Sequence, residues 1–297
     1  MNTFKLCLCS FFVLGFTTIK QYPSSQNDFI YFSSDVNSRG RDVIRIDANG
    51  ENRTKLTSHT GSGHYPHFNG PEISPDGTKL VYHADTDGHD RYAMWTMNID
   101  GSNATRITQK EGLYGNWSPD GNTIIFSGRR NGTWEILTVP NNGGKETNLT
   151  NNYKKSKKPS WGAHCSYHPD GKSIVYTYVR ENVLYFMNLE TSEINRISPP
   201  NESFTQPAYS KDGKRLAVNR KIKDGYDLIT MSPTGEDITL VAENVISYSS
   251  PAWSSNDKEL LFCGMLSGNQ EIFKINLESK KETQLTKNSD FDAFPTW

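Results

Sequence analysis

The sequence predicts an all-β protein, a propeller of six four-stranded antiparallel blades whose ring is closed by the C-terminal strand pairing with the N-terminal strands. Three observations lead there. The segments ISPDGTKLVYHA, WSPDGNTIIFSG, YHPDGKSIVYTY, YSKDGKRLAVNR and WSSNDKELLFCG begin at Ile73, Trp117, Tyr167, Tyr209 and Trp253, in steps of 44, 50, 42 and 44 residues. A fixed period of that size marks a repeat architecture. Each segment reads aromatic or apolar residue, turn, alternating strand, and a second strand pair such as WEILTVPNNGGKETNLT or EIFKINLESKKETQLT follows it. Four-stranded units of this kind are too small to bury their own faces and stack as blades. The composition agrees, because 34% hydrophobic and 11% aromatic residues with 23 Gly and 14 Pro favour short strands and tight turns over disorder or helical bundles.

In chain order, residues 1–20 read MNTFKLCLCSFFVLGFTTIK, with Lys5 ahead of an apolar run from Leu6 to Phe16. That is the pattern of a secretory leader, and the run falls short of the roughly 20 apolar residues that span a bilayer. Residues 1–18 are therefore expected to be a signal peptide, 19–27 a linker, and the protein secreted or periplasmic without a membrane span. Residues 28–57 carry three strands but lack the opening one. A last step of 44 from Trp253 lands on Trp297, so 294–297 is expected to complete that blade, with Trp297 packed between blades as Trp117 and Trp253 are. The other blades are expected at 67–108, 116–150, 164–198, 206–241 and 250–286. The D-G pairs should supply the positive φ of two-residue hairpins, which assigns Asp76, Asp120, Asp170, Asp212, Ser74, Ser118 and Ser210 to turns.

Several function classes are excluded. With 32 Lys plus Arg against 33 Asp plus Glu, no global field would hold nucleic acid. No G-x-S-x-G elbow, phosphate-binding loop, HExxH or CxxC occurs. Cys165 and Cys263 fall on non-adjacent blades and should not bond. A monomer is expected.

The recurrent x-W-S-P-D-G-x-x-[IL]-x-[FY] strand pair, followed by a strand such as EILTVPNNGG and a terminal x-L-T, resembles the TolB-type, WD-repeat-like propeller repeat from about residue 28 to 297. The resemblance implies a six-bladed fold. For function it implies a scaffold in an envelope complex, and it is shared with the propellers of prolyl peptidases and sugar-acid lyases.

The loops between blades and between second and third strands gather on one rim, the funnel face, and do not follow the repeat. They carry the candidate ligand-binding residues His64, His67, His83, Arg91, Tyr114, Arg129, Trp161, His164 and Gln206. No catalytic residue is assigned and no cofactor is expected. If a divalent metal is bound, His64, His67 and His164 are the expected ligands. The reading is a ligand- or protein-binding module whose partner at the funnel mouth is a protein or a carbohydrate. The alternatives are a metal-assisted lyase or hydrolase acting on acidic sugars, and the envelope scaffold.

Overall fold

A computed structural model describes residues 29–35, 40–57, 66–86, 91–150, 162–266 and 268–297. Every regular element among them is a strand, and the strands form six four-stranded antiparallel sheets. Blade 1 is split: Asp292–Thr296 is its inner strand, followed outward by Phe29–Ser34, Asp42–Asp47 and Thr54–Lys55. The C-terminal strand pairs with the N-terminal one through Tyr31↔Thr296, Ser33↔Ala293 and Ser34↔Asp292, which closes the ring and covers the edge that the N-terminal strand would otherwise expose. The inner strands of blades 2 to 6 are Phe68–Ile73, Leu113–Trp117, Gly162–Tyr167, Phe204–Tyr209 and Ala252–Trp253.

The hydrophobic core lies between blades. Six buried clusters each draw on two adjacent blades. One of them joins Leu261, Ile272 and Leu285 of blade 6 to Ile30, Phe32, Ile44 and Trp297 of blade 1. Tryptophans fasten these layers. The indole N–H of Trp117 donates to the Glu72 carbonyl at 3.0 Å, that of Trp253 to Ala208 at 3.0 Å, and that of Trp297 to Ala252 at 3.2 Å. Each therefore buries a large ring and reaches across to the preceding blade, so Trp297 does sit between blades as its counterparts do.

The terminal L-T of the repeat, I-T in blade 2 and I-S in blade 4, fastens five of the six blades internally. Thr57, Thr108, Thr150, Ser198 and Thr286 accept from the backbone N–H of Val43, Met94, Ile136, Leu184 and Ile272, always 14 residues upstream. Blade 5 has Ala242 in this place, opposite Leu228, and makes no such bond.

The turn between first and second strands differs from the two-residue hairpin expected of D-G. Gly77 N–H donates to the Ser74 carbonyl and Ser74 N–H to the Lys79 carbonyl, so Ser-Pro-Asp-Gly is a four-residue turn. Gly77, Gly121, Gly171 and Gly213 take positive φ while their Asp neighbours do not. Ser74, Ser118 and Ser210 donate to Asp76, Asp120 and Asp212 at 2.6–2.8 Å and accept from the N–H five residues on. These side chains are committed to the turn. Blade 5 has Lys211 where three other blades have Pro, and so exposes an N–H that proline lacks. The next blade answers it: Asp257 replaces the turn glycine and accepts from the N–H groups of Lys211 and Asp212 at 2.6 and 2.9 Å.

Cys165, on the inner strand of blade 4, and Cys263, on the second strand of blade 6, are buried free thiols. No described helix is long and apolar enough to cross a membrane.

Candidate functional site

Three residues ahead of the last inner-strand residue of the repeat, the chain bulges in five blades, and pairing slips there by one or more residues. The six equivalent positions are Phe294, Gly70, Tyr114, His164, Gln206 and Ser250, in ring order. All but Ser250 have φ between 48 and 58°. For the four that are not glycine this left-handed conformation costs about 1–2 kcal/mol each, and it turns the residue into the central channel. Bulges of this kind re-aim side chains.

The ring is a contact network. Tyr114 packs against His164 with centroids 3.9 Å apart and the rings tilted by 43°, and reaches Phe294 at 6.4 Å across the gap left by Gly70. Phe294 in turn meets Tyr248 at 5.8 Å. On the other side, Ser250 donates to Gln206 Oε1 at 2.6 Å, which fixes the amide so that its NH2 faces His164 Nε2 at 3.0 Å. With the amide in this orientation His164 Nε2 accepts, which leaves the proton to Nδ1, a buried atom with no partner among the described residues.

A second ring of buried side chains stands behind the first. Ser33 accepts from Gly70 N–H at 3.0 Å, His83 Nδ1 from Tyr114 N–H at 3.4 Å, Asn219 donates to the carbonyls of Ile246 and Ser249, and Cys263 to that of Asp292. Ser127 and Thr177 occupy the same position in blades 3 and 4, and their hydroxyls have no partner among the described residues. Unspent hydrogen-bonding capacity thus collects on both sides of His164.

Burial lowers both ring histidines to a pKa of about 3, with His164 and Arg41 adding to the effect on His83. Both are neutral at any ordinary pH. Burial raises the Tyr114 phenol.

Of the residues expected from sequence, His83, Tyr114, His164 and Gln206 converge on this constriction. His67 does not: it lies just ahead of the inner strand of blade 2, three residues before Gly70, or about 10 Å along a strand, and its N–H donates to Asp85. Arg91 and Arg129 are exposed, Arg91 before the third strand of blade 2 and Arg129 near the end of the second strand of blade 3. His64 and Trp161 lie outside the described residues. Among the described residues no three His, Cys, Asp or Glu side chains are grouped to hold a metal ion. The sequence reading missed Phe294, Ser250 and Gly70. Aligning the residue three before Ile73, Trp117, Tyr167, Tyr209, Trp253 and Trp297 would have found them.

Toward the turn side lies a cavity of about 190 Å³, lined by the ring members other than Gln206 and by Glu72, Trp117, Tyr167, Tyr209 and Lys211 among others.

Comparison with known proteins supplies the relatives. Residues 117–297 match the family model described as the TolB beta propeller domain. The uncharacterized peptidase YuxL of Bacillus subtilis (strain 168) is 25% identical over 213 residues, 69% of this chain and 30% of the relative. The Tol-Pal system protein TolB of Francisella tularensis subsp. mediasiatica is 30% identical over 132 residues, 41% of this chain and 29% of the relative. The matches thus span less than a third of these curated relatives. Among solved structures, TolB from Acinetobacter baumannii superimposes with a TM-score of 0.79 at 18% identity, over 93% of this chain and 68% of that one. An oligogalacturonate lyase in complex with manganese superimposes at 0.58 and 13% identity, over 91% and 76%. At these identities the superpositions speak to the fold alone.

Proposed function

Because the chain belongs to the TolB beta-propeller family, we propose that it is a binding module outside the cytoplasm that takes a segment of a partner protein at the funnel side of its channel. The observation that carries this reading is the bulge ring. One backbone position, repeated in every blade and strained in most, presents Tyr, His, Gln, Ser and Phe to a single constriction. Such a set suits recognition: aromatic faces for apolar side chains, and amide, hydroxyl and imidazole groups for peptide N–H and C=O. It suits acid–base chemistry poorly, since a histidine with a pKa of about 3 is a weak base at neutral pH. The Tol-Pal system relative favours a partner within an envelope complex. Secretion through the leader belongs to this proposal.

Site-specific photo-crosslinking at position 114 in the producing cells tests the reading. A discrete adduct with one protein, competed by excess unlabelled propeller, is expected. No adduct at position 114, with the labelled chain folded, would remove the basis of the reading. The acidic-sugar alternative requires His64 to join His67 and His164 around a metal. Stoichiometric transition metal in the purified protein, lost in His64→Ala, would favour it.

A further inference from the structure

We infer that the turn-side cavity of the channel is a second binding site, which takes an organic cation, a primary ammonium the size of a lysine side chain, against Glu72. This site lies beyond the constriction from the funnel face and does not depend on the identity of the funnel partner.

Glu72 breaks its column. The residue just before the last one of the motif's inner strand is Glu72, Asn116, Ser166, Ala208, Ala252 and Thr296 through the six blades, so five are neutral and one is a carboxylate. In three of the six blades the fold uses the backbone carbonyl at this place, where Trp117 donates to Glu72 just as Trp253 and Trp297 do to two alanines, and in blade 4 the Ser166 hydroxyl accepts from the Tyr209 N–H. A neutral small residue would serve that purpose. The Glu72 side chain instead lines the cavity as its single side-chain carboxylate. Thr296 donates to Oε2 at 3.0 Å, and Oε1 accepts no hydrogen bond from the described residues. Burial raises the Glu72 carboxyl from 4.5 to about 7, against the hydrogen bond from Thr296 and the positive charge of Lys211. A cation beside it would relieve that penalty.

The walls fit the same ligand. Trp117, Tyr167, Tyr209 and Trp253 line the cavity, and aromatic rings attract ammonium groups. At about 30 Å³ per water, a volume of about 190 Å³ admits a short alkyl chain with its ammonium head. Glu72 and the Thr296 hydroxyl offer too few oxygens for calcium, which takes about 6–8. Lys211, exposed and also part of the cavity lining, is the cavity's own cation, and a bound ammonium has to share Glu72 with it.

The test is calorimetric titration of n-butylammonium chloride into the full chain, with sodium butyrate and calcium chloride as controls. Saturable one-to-one binding of butylammonium is expected at about pH 8. It should weaken at least tenfold at about pH 5.5, where Glu72 is protonated, and should vanish in Glu72→Gln, a near-isosteric change whose melting temperature confirms folding. Binding equal in Glu72→Gln, absence of saturable binding, equal binding of butyrate, or calcium binding that depends on Glu72 would each overturn the inference.

Discussion

The two ends of the inner strands come from the same repeat and differ in what they do with polar residues. At the turn end, Ser and Asp recur from blade to blade and spend their hydrogen bonds on one another and on the local backbone. Three residues upstream, the bulge recurs as backbone in five blades while the side chains there are Phe, Gly, Tyr, His, Gln and Ser, and the buried Nδ1 of His164 stays unspent among the described residues. A repeated residue at a repeated position is explained by folding. A varied residue at a strained, repeated position needs another explanation, and here the channel is the surface it faces.

The largest expected effect separates closure from the ring. Deleting residues 294–297 removes most of the closing strand and the Trp297 latch. Loss of a buried aromatic alone costs about 3–5 kcal/mol, out of a typical total of about 5–15 kcal/mol. Thermal unfolding should show a marginal or aggregating protein, whereas Phe294→Ala, which alters only the ring member, should melt close to the intact chain. Equal melting of the deletion and the intact chain would disconnect the two termini.

Acid should reach the two regions at different pH. His83 and His164 have folded pKa values of about 3 against 6.5 unfolded, so the unfolded state binds more protons between those values. Their stabilising contribution is complete above about pH 6.5 and falls as pH drops, by up to about 1.4 kcal/mol per pH unit per histidine. Glu72 acts oppositely: raised to about 7, it loses stability as pH rises from 4.5 to 7. The turn carboxylate of Asp120, held below its usual range by the hydrogen bond from Ser118, contributes above about 3.8 and is lost only as pH falls further. Denaturant titrations across pH 4 to 7 should show stability rising with pH, more steeply in Glu72→Gln and less steeply in His83→Gln. A flat profile would mean that the ring histidines are not held neutral.

Smaller effects probe the turn end. Ser118→Ala leaves the Thr123 N–H without its acceptor and removes one donor to Asp120, which keeps those from Asn122, and should cost about 1–3 kcal/mol in chemical denaturation. Asp257→Gly should cost about 1 kcal/mol by leaving two backbone N–H groups unanswered. Adding Lys211→Pro should recover part of that loss, a coupling of about 0.5 kcal/mol or more. Strict additivity would show that the two substitutions in blades 5 and 6 are unrelated.

What the sequence displayed follows from the same contrast. Blade number, strand order and the closing role of Trp297 could be read because burial demands the same residue types at each repeat. The bulge could not be read that way, since Tyr114, His164, Gln206 and Phe294 share a backbone conformation and no chemistry. His83, Tyr114, His164 and Gln206, expected in the loops of one rim, lie on strands and converge on the constriction, while Arg91 and Arg129, read from the same loops, are exposed. Radial position within a blade decides which rim residue faces the channel, and a linear pattern carries no record of it. The turn was misjudged because D-G alone suggests a two-residue hairpin, while the preceding Ser, often followed by Pro, makes it four residues long.

The most direct test pairs binding with stability on the same variants. With the partner captured at position 114 in hand, its affinity and the melting temperature are measured for Tyr114→Ala, His164→Ala and Ser118→Ala. The two ring variants should lose at least tenfold in affinity, about 1.4 kcal/mol, while melting within a few degrees of the parent chain. Ser118→Ala should melt lower and bind as the parent does. Undiminished binding in both ring variants, or binding lost in folded Ser118→Ala, would contradict the division between a repeated frame and a varied binding ring.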